Sequence, residues 1–295
     1  MPADQVVWAA RFQLHPGDVA RQRTVIAHAL QQSILERVGG NEQLVDDFIK
    51  KPEAYYAYLS GLQSLSSLAL PSIRRARRQF RDALDHDEGF APALAGIART
   101  LTMEWVVTAQ GDRTLLDRAE RLATRAIDEN ETFAGGFKEL GVAQLYQGKI
   151  DPSLDALRRA EQISPHYADA LWSHADSLVH ASDPSTALAK VRLAMELNPI
   201  SPDTYYWTAA GASYFLREYE QALAYINRMH DSGPAARLAA ASLGMLGDAA
   251  RAREYRMHVL RNNPDFNLER WLEMIPHRER WQTELYREGL TRAGF

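Results

Sequence analysis

Apolar and polar positions alternate along most of the chain with the spacing of paired amphipathic helices. Residues 137–165 show this most clearly, since their first apolar face falls at helical intervals on Phe137, Leu140, Gly141 and Leu145. In the polar stretch that follows, Gly148 is suited to end the first helix, Asp151 to cap a second and Pro152 to occupy its first position. We predict a helical hairpin here, with Pro165 ending its second helix.

The same pattern recurs 34 residues further along the chain without a gap. Five pairs of positions agree in size or class: Gly141 with Ala175, Ser153 with Ala187, Leu157 with Val191, Ala160 with Ala194 and Pro165 with Pro199. This period, with small residues at fixed sites and a terminal proline, resembles the tetratricopeptide repeat (TPR). The resemblance implies an all-α fold, a right-handed α-solenoid in which stacked hairpins share one continuous core.

Weaker copies of the hairpin flank these two, so residues 53–264 are predicted to form about six TPR-like hairpins. In the copy that carries Gly96 and Ala119, we count about eleven extra residues between the two helices. Because the end of a stack needs a cover, residues 265–295 are predicted to be capping helices broken at Pro276.

The first 52 residues follow a different pattern. The stretch VVWAARFQL at 6–14 alternates in the manner of a β-strand, and residues 19–38 have the spacing of a helix. A single short strand is not stable alone, so we predict that residues 1–52 join a missing domain or a partner, or pair with a second copy of the strand.

This junction carries a second resemblance. A strand with Trp8 and Phe12, a helix, repeats and the ending YREGLTRAGF are similar to the C-terminal half of certain bacterial multidomain regulators. In those proteins a class III adenylate or guanylate cyclase, or a winged-helix DNA-binding domain, precedes the TPR array. The resemblance implies the regulatory or sensory module of a bacterial signalling protein, acting on an effector domain.

Composition and charge narrow the classes of function. The 295 residues carry a net charge of -4 with a pI near 6.2, which argues against a general binder of nucleic acid. The chain has no cysteine, which excludes disulfides and cysteine-bound metals. Charged residues interrupt the first 30 positions, and no apolar run is long enough for a membrane span. We predict a cytoplasmic protein with no membrane segment.

No constellation of catalytic residues is evident. The sequence lacks a phosphate-binding loop with a lysine, a Gly-x-Ser-x-Gly turn and paired histidines one helical turn apart. We therefore predict that the protein is not an enzyme and has no metal or cofactor.

The strongest cluster of like charge is RRARRQFR, in which Arg74, Arg77, Arg78 and Arg81 are predicted to share the outer side of a helix. One interpretation is a contact with phosphate or nucleic acid. The other, which the acidic chain favours, is a solvated helix face paired with neighbours such as Asp82 and Asp85.

The concave face of a TPR array is lined by the first helix of each repeat. Mapping these positions gives the candidate partner-binding residues Lys138, Val142, Leu145, Trp172, Asp176, Tyr205, Thr208 and Phe215. Some TPR proteins hold a partner's terminal carboxylate with lysine and asparagine at such sites, but here Val142 stands where asparagine is needed. The aromatic positions suit a peptide or an apolar ligand, or they simply pack between helices.

Two functions remain. The first is a non-enzymatic scaffold for protein–protein interaction that binds a protein or peptide in its concave groove. The second is a small-molecule sensor controlling a cyclase or a transcriptional effector, in which the inserted residues near Trp105 and Leu115 close over a ligand.

Overall fold

The computed structural model describes residues 51–65, 69–108 and 112–295, and the regular elements in these ranges are helical. The helices are α1 (Pro52–Ser64), α2 (Leu70–His86), α3 (Ala91–Thr108), α4 (Arg113–Glu129), α5 (Ala134–Tyr146), α6 (Ile150–Ile163), α7 (Ala168–His180), α8 (Pro184–Leu197), α9 (Asp203–Phe215), α10 (Tyr219–Ile226), a 3-10 turn (Gly233–Ala235), α11 (Ala236–Leu246), α12 (Ala249–Asn262), α13 (Leu268–Met274) and α14 (Arg280–Arg292). The all-helical prediction is confirmed for this part of the chain. The predicted strand at 6–14 and helix at 19–38 lie outside the described residues.

Helices α1 to α12 form six successive hairpins. Each helix packs against the next one in sequence, and each odd-numbered helix from α1 to α9 also contacts the next odd-numbered helix. The odd-numbered helices therefore make a continuous layer, which we call the inner wall. A hairpin shares its core with its neighbours in this arrangement, as expected for a solenoid.

The sequence period is reproduced helix by helix. Helices α5 and α7 begin and end 34 residues apart, and so do α6 and α8. The small repeat positions lie where paired helices cross, since a Cβ on Gly141 would stand 2.6 Å from Cγ of Leu157 and 3.0 Å from the Ser153 carbonyl oxygen. Leu157 and its counterpart Val191 are fully buried. The spacing thus reflects close helix contact.

The turn inside this hairpin differs in part from the prediction. Gly148 adopts a φ of 81° just after α5, and its amide donates to the Leu145 carbonyl over 2.8 Å, as a helix-ending glycine does. Asp151, however, does not cap α6. The helix begins at Ile150 without a side-chain cap, and Asp151 lies in its first turn, where it pairs with Arg278.

The extra residues of the second hairpin do not form the long turn that the sequence predicted. They lengthen α3 to 18 residues and α4 to 17, so Trp105 belongs to α3 and Leu115 to α4. Ala98 and Leu101 in α3 and Ala119 in α4 are fully buried, which shows that the longer helices remain packed against each other.

The last two helices fold back onto the inner wall. Helix α14 crosses α11 so closely that a Cβ on Gly244 has no room against the backbone of Gly289. The Tyr214 hydroxyl of α9 donates to the Leu285 carbonyl over 2.9 Å. Helix α12 keeps only Ala252 and Val259 buried, so its outer face stays largely exposed to solvent. In the described ranges, no helix combines the length and the apolar character needed to cross a bilayer.

Candidate functional site

The candidate site lies on the inner wall, where α3, α5, α7 and α9 run side by side; we call this surface the groove. Residues four apart on a helix share a face, so α7 presents Trp172, Asp176 and His180 in one row. The equivalent row of α5 ends in Val142 and Tyr146. Trp172, Asp176 and Val142 are each partly exposed.

A chain of hydrogen bonds fixes the centre of the groove. The indole N–H of Trp172 donates to the Thr208 hydroxyl over 2.9 Å and to the Thr204 carbonyl over 3.1 Å. Thr208 in turn donates to Oδ1 of Asp176 over 3.0 Å, and the Tyr146 hydroxyl also hydrogen-bonds this carboxylate. Three helices are thus tied together through one aspartate.

Asp176 is an unpaired carboxylate. No lysine or arginine in the described ranges forms an ion pair with it. Burial raises its pKa to about 6, and the hydrogen bonds from Thr208 and Tyr146 offset this only in part. The groove therefore holds an acidic group that ionises close to neutral pH.

Asp169, one helical turn before Trp172, is a second aspartate of the groove and, unlike Asp176, has a cation beside it. Asp169 lies 3.6 Å from Arg99 and accepts a hydrogen bond from the Tyr205 hydroxyl over 2.6 Å. Burial raises the pKa of Asp169, but Lys138, Arg99 and the Tyr205 hydroxyl together bring it below its ordinary value. Lys138 itself is buried and contacts Glu139 over 2.5 Å.

Aromatic rings close one end of the groove. Trp105 of α3 lies 5.2 Å from Tyr146, measured between ring centroids, and His180 stacks on His277 at 5.7 Å. His277 belongs to residues 277–292, which we call the tail. Burial lowers the pKa of His180 to about 4, and burial together with His180 lowers that of His277 to about 3. Both imidazoles are therefore neutral at pH 7.

The tail is held against α7 by buried polar contacts. The side-chain amide of Gln282 is fully buried, donates to the Val179 carbonyl over 2.6 Å and accepts from the Ser182 hydroxyl over 2.7 Å. The Arg278 amide donates to the His180 carbonyl over 2.9 Å. The tail therefore defines where the open part of the groove ends.

The predicted groove residues divide into two groups by exposure. Five are buried, with 9% of the residue's surface or less exposed: Lys138, Leu145, Tyr205, Thr208 and Phe215. Tyr205 stacks under Trp172 at 5.8 Å, and Phe215 contacts the tail residue Trp281 at 5.9 Å, so both pack between elements. The accessible members are Val142, Trp172 and Asp176.

Sequence reasoning missed Arg99, Tyr146 and Gly211 in the groove. The row of α5 pointed to Tyr146, which follows Val142 by four residues. Gly211 matches Asp176 when α9 is aligned with α7 at their first residues. A Cβ built on Gly211 would meet one neighbour within 4 Å, Cγ1 of Val179 at 3.9 Å, so space opens beside it.

The predicted basic patch is not a single outer face. Arg77 is buried and donates to the hydroxyl and the carbonyl of Thr100 over 2.9 and 2.7 Å. Arg74 and Arg77 both pair with Glu104 of α3, each at 2.7 Å. The prediction of four arginines sharing the outer side is wrong for Arg77, which is buried against α3. Arg74 is exposed while it reaches Glu104, and Arg78 and Arg81 are exposed as well.

No protein-family model matches the chain, and no curated protein does. Among solved structures, it is similar to the APC/C hetero-tetramer Cut9–Hcn1, with 19% identity and a TM-score of 0.55 over 90% of this chain and 48% of that one. It is also similar to PilF of Pseudomonas aeruginosa, with 19% identity and a TM-score of 0.49 over 76% of this chain and 97% of that one. For TTC0263, a TPR protein in Thermus thermophilus, the identity is 19% and the TM-score 0.49, over 70% and 99%.

The likeness to the Cut9–Hcn1 structure shows the fold, a helical solenoid. Together with the hairpins and the 34-residue period, it supports a TPR protein. In the described ranges, no group of three or more histidine, aspartate or glutamate side chains is placed to hold a metal ion.

Proposed function

We propose that the chain is a non-enzymatic scaffold that binds a peptide segment of a partner protein in the groove. The observation that carries the proposal is Trp172, a partly exposed indole held by two hydrogen bonds and by its stack on Tyr205. A rigid aromatic side chain loses little entropy on binding, which is why tryptophan is common at the energetic centre of interfaces.

We further propose that the scaffold is the regulatory module of a bacterial signalling protein, with residues 1–52 leading to the effector domain. The support is the resemblance of that junction and of the chain's ending to such regulators. The alternative, a small-molecule sensor, relied on inserted residues closing as a loop, but Trp105 and Leu115 lie in packed helices.

An affinity capture from bacterial cytoplasm with residues 1–295 as bait tests the scaffold function. Trp172→Ala is the groove variant and Tyr56→Ala, an exposed aromatic on α1, is the matched control. We expect a partner that is retained by the control and lost with Trp172→Ala, while circular dichroism shows both variants folded. A partner retained equally by both variants contradicts binding in the groove.

A further inference from the structure

The carboxylate of Asp176 has unused capacity to accept hydrogen bonds. An ionised carboxylate offers about four lone-pair sites, and Asp176 receives neutral donors from Thr208 and Tyr146. Neither donor carries a positive charge, so the negative charge of the aspartate is solvated by two hydroxyls and by whatever occupies the groove.

The charged and titratable groups around Asp176 do not neutralise it. Tyr146 on α5 is held neutral, since burial raises its pKa well above the ordinary value, and His180 on α7 is neutral because burial lowers its pKa to about 4. The tail contributes His277, which is also neutral at pH 7. Arg99 lies by Asp169 at 3.6 Å.

The buried lysine of the groove is also engaged. Lys138 pairs with Glu139 over 2.5 Å and has only 1% of its surface exposed. Asp176 is thus surrounded by neutral groups, while the cations of the groove lie beside other carboxylates.

The groove is open at Gly211. Gly211 leaves an opening beside the Asp176–Thr208 pair, since the nearest atom to a Cβ placed on this glycine is Cγ1 of Val179 at 3.9 Å. Trp172 lies one turn from Asp176 on the same face of α7. An aliphatic stem can pack along an apolar surface while its charged head reaches a polar group, as lysine and arginine side chains do.

We propose that Asp176 is the specificity site of the groove and binds a lysine or arginine side chain of the partner peptide. The stem of that side chain lies along Trp172 and over Gly211, and its ammonium or guanidinium group donates to the free lone pairs of Asp176. This inference rests on the proposed function, because it requires that a peptide enters the groove.

The energetics favour a functional role for the unpaired charge. A partly buried carboxylate without a cation costs stability, so a folded array gains nothing from keeping it. A ligand that brings the missing cation recovers this cost on binding, and unpaired ionisable groups in clefts are accordingly common at functional sites.

A peptide library displayed on phage, with about twelve random residues per clone, is the probe, a length that spans several repeats when extended. It is selected on the full chain, and the recovered peptides are then measured against wild type, Asp176→Asn and Asp128→Asn. Asparagine keeps the shape of Asp176 and its acceptor oxygen, while Asp128 is an exposed residue of α4 that serves as the matched control.

We expect recovered peptides to share a lysine or arginine whose replacement by norleucine weakens binding about 10- to 100-fold, the usual worth of a hydrogen bond to a charged group. Asp176→Asn is expected to weaken binding by a similar factor, and Asp128→Asn to leave it unchanged. Peptides that bind in the groove and are lost with Trp172→Ala, but bind wild type and Asp176→Asn equally, overturn the inference and leave the proposed function standing. A selection that recovers no binder overturns both.

Discussion

Thr208 donates a hydrogen bond to Asp176 across the gap between α9 and α7, at 3.0 Å, while accepting one from Trp172 at 2.9 Å. One threonine hydroxyl therefore orients both the exposed indole and the unpaired carboxylate of the groove. Its position depends on the register of two neighbouring hairpins, so the site exists only when the hairpins are stacked.

Replacing Asp176 by asparagine is expected to stabilise the protein at neutral pH. The folded-state pKa of about 6 lies above the ordinary 3.8, so the free energy of unfolding falls as pH rises from about 4 to about 6 and stays reduced above that. The variant should gain about 2 to 3 kcal/mol at pH 7.5 and almost nothing at pH 4.

Urea unfolding at pH 4, 5, 6 and 7.5 measures this, with Asp128→Asn as the control. A loss of stability at pH 7.5, or a difference that does not vary with pH, contradicts an unpaired, partly buried carboxylate at this position.

The stacked pair His180 and His277 should make the protein sensitive to acid. Their folded-state pKa values of about 4 and about 3 lie below the ordinary 6.5, so their contribution is complete above pH 6.5 and is lost as pH falls towards 4. With both neutral in the fold, the free energy of unfolding should drop by at most about 2.7 kcal/mol per pH unit near pH 5.

A fall in pH stabilises the fold through Asp176 and destabilises it through the two histidines. This experiment is therefore done in an Asp176→Asn background, which removes the first effect. Phenylalanine at position 277 can still pack on Phe215. Adding His277→Phe should therefore reduce by about half the slope of the free energy of unfolding against pH near pH 5. His86→Gln, at an exposed site, should leave the slope as it was. An unchanged slope with His277→Phe means that the imidazole is not buried as a neutral group.

Two glycines of the inner wall should respond to alanine in opposite ways. A Cβ on Gly211 meets only Val179 at 3.9 Å, so Gly211→Ala should stabilise α9 by about 0.5–1 kcal/mol. A Cβ on Gly141 would stand 2.6 Å from Leu157, so Gly141→Ala should destabilise the protein by about 1–3 kcal/mol. Thermal unfolding of the two variants side by side checks both signs. A rise in the melting temperature with both refutes the close contact at Gly141, and a fall with both refutes the open space at Gly211.

Removing the Gln282 side chain should release the tail. Gln282→Ala leaves the Val179 carbonyl and the Ser182 hydroxyl without their partners, at a cost of about 2–3 kcal/mol. In hydrogen exchange, the amides of α14 should lose protection while those of α5 and α6 keep it. Gln162→Ala, on the exposed side of α6, is the control and should change neither. Unaltered protection of α14 contradicts the anchoring role of Gln282.

The repeated hairpins could be predicted because the residues that define a hairpin lie close together in the sequence and because the same pattern occurs twice. Gly141 and Leu157 face each other within one hairpin, so the sequence must keep one small residue and one large residue at that spacing. A fixed turn length then preserves the register, and the second copy repeats both features at the same distance.

The start of α6 could not be predicted because stacking overrides local capping chemistry. Asp183 caps α8, with its carboxylate accepting from the Thr186 amide over 3.1 Å. In the repeat register, the residue equivalent to Asp183 is Lys149, which offers no acceptor to cap the helix. Helix α6 therefore begins at Ile150 without a side-chain cap, and Asp151 falls inside its first turn. The packing of neighbouring hairpins, rather than the nearest aspartate, sets where the helix starts.

The exposure of the groove residues depends on contacts that the period does not encode. Tyr205 stacks on Trp172 and donates to Asp169, and Phe215 is covered by Trp281 of the tail. That Asp176 lacks a cation follows from where Arg99 and Lys138 find their own partners, on other helices or on their immediate neighbour. Such pairings arise only after folding brings the helices together.

The contact between Gln282 and Val179 joins two parts of the array that are not adjacent in sequence. A solenoid with contacts only between neighbouring repeats can unravel one hairpin at a time, because each boundary is energetically independent. Here α14, the last helix, is hydrogen-bonded to α7. The hairpins between α7 and α14 are therefore held in place from both ends. Their unfolding should be a single cooperative event, with helices α1 to α4 free to open separately.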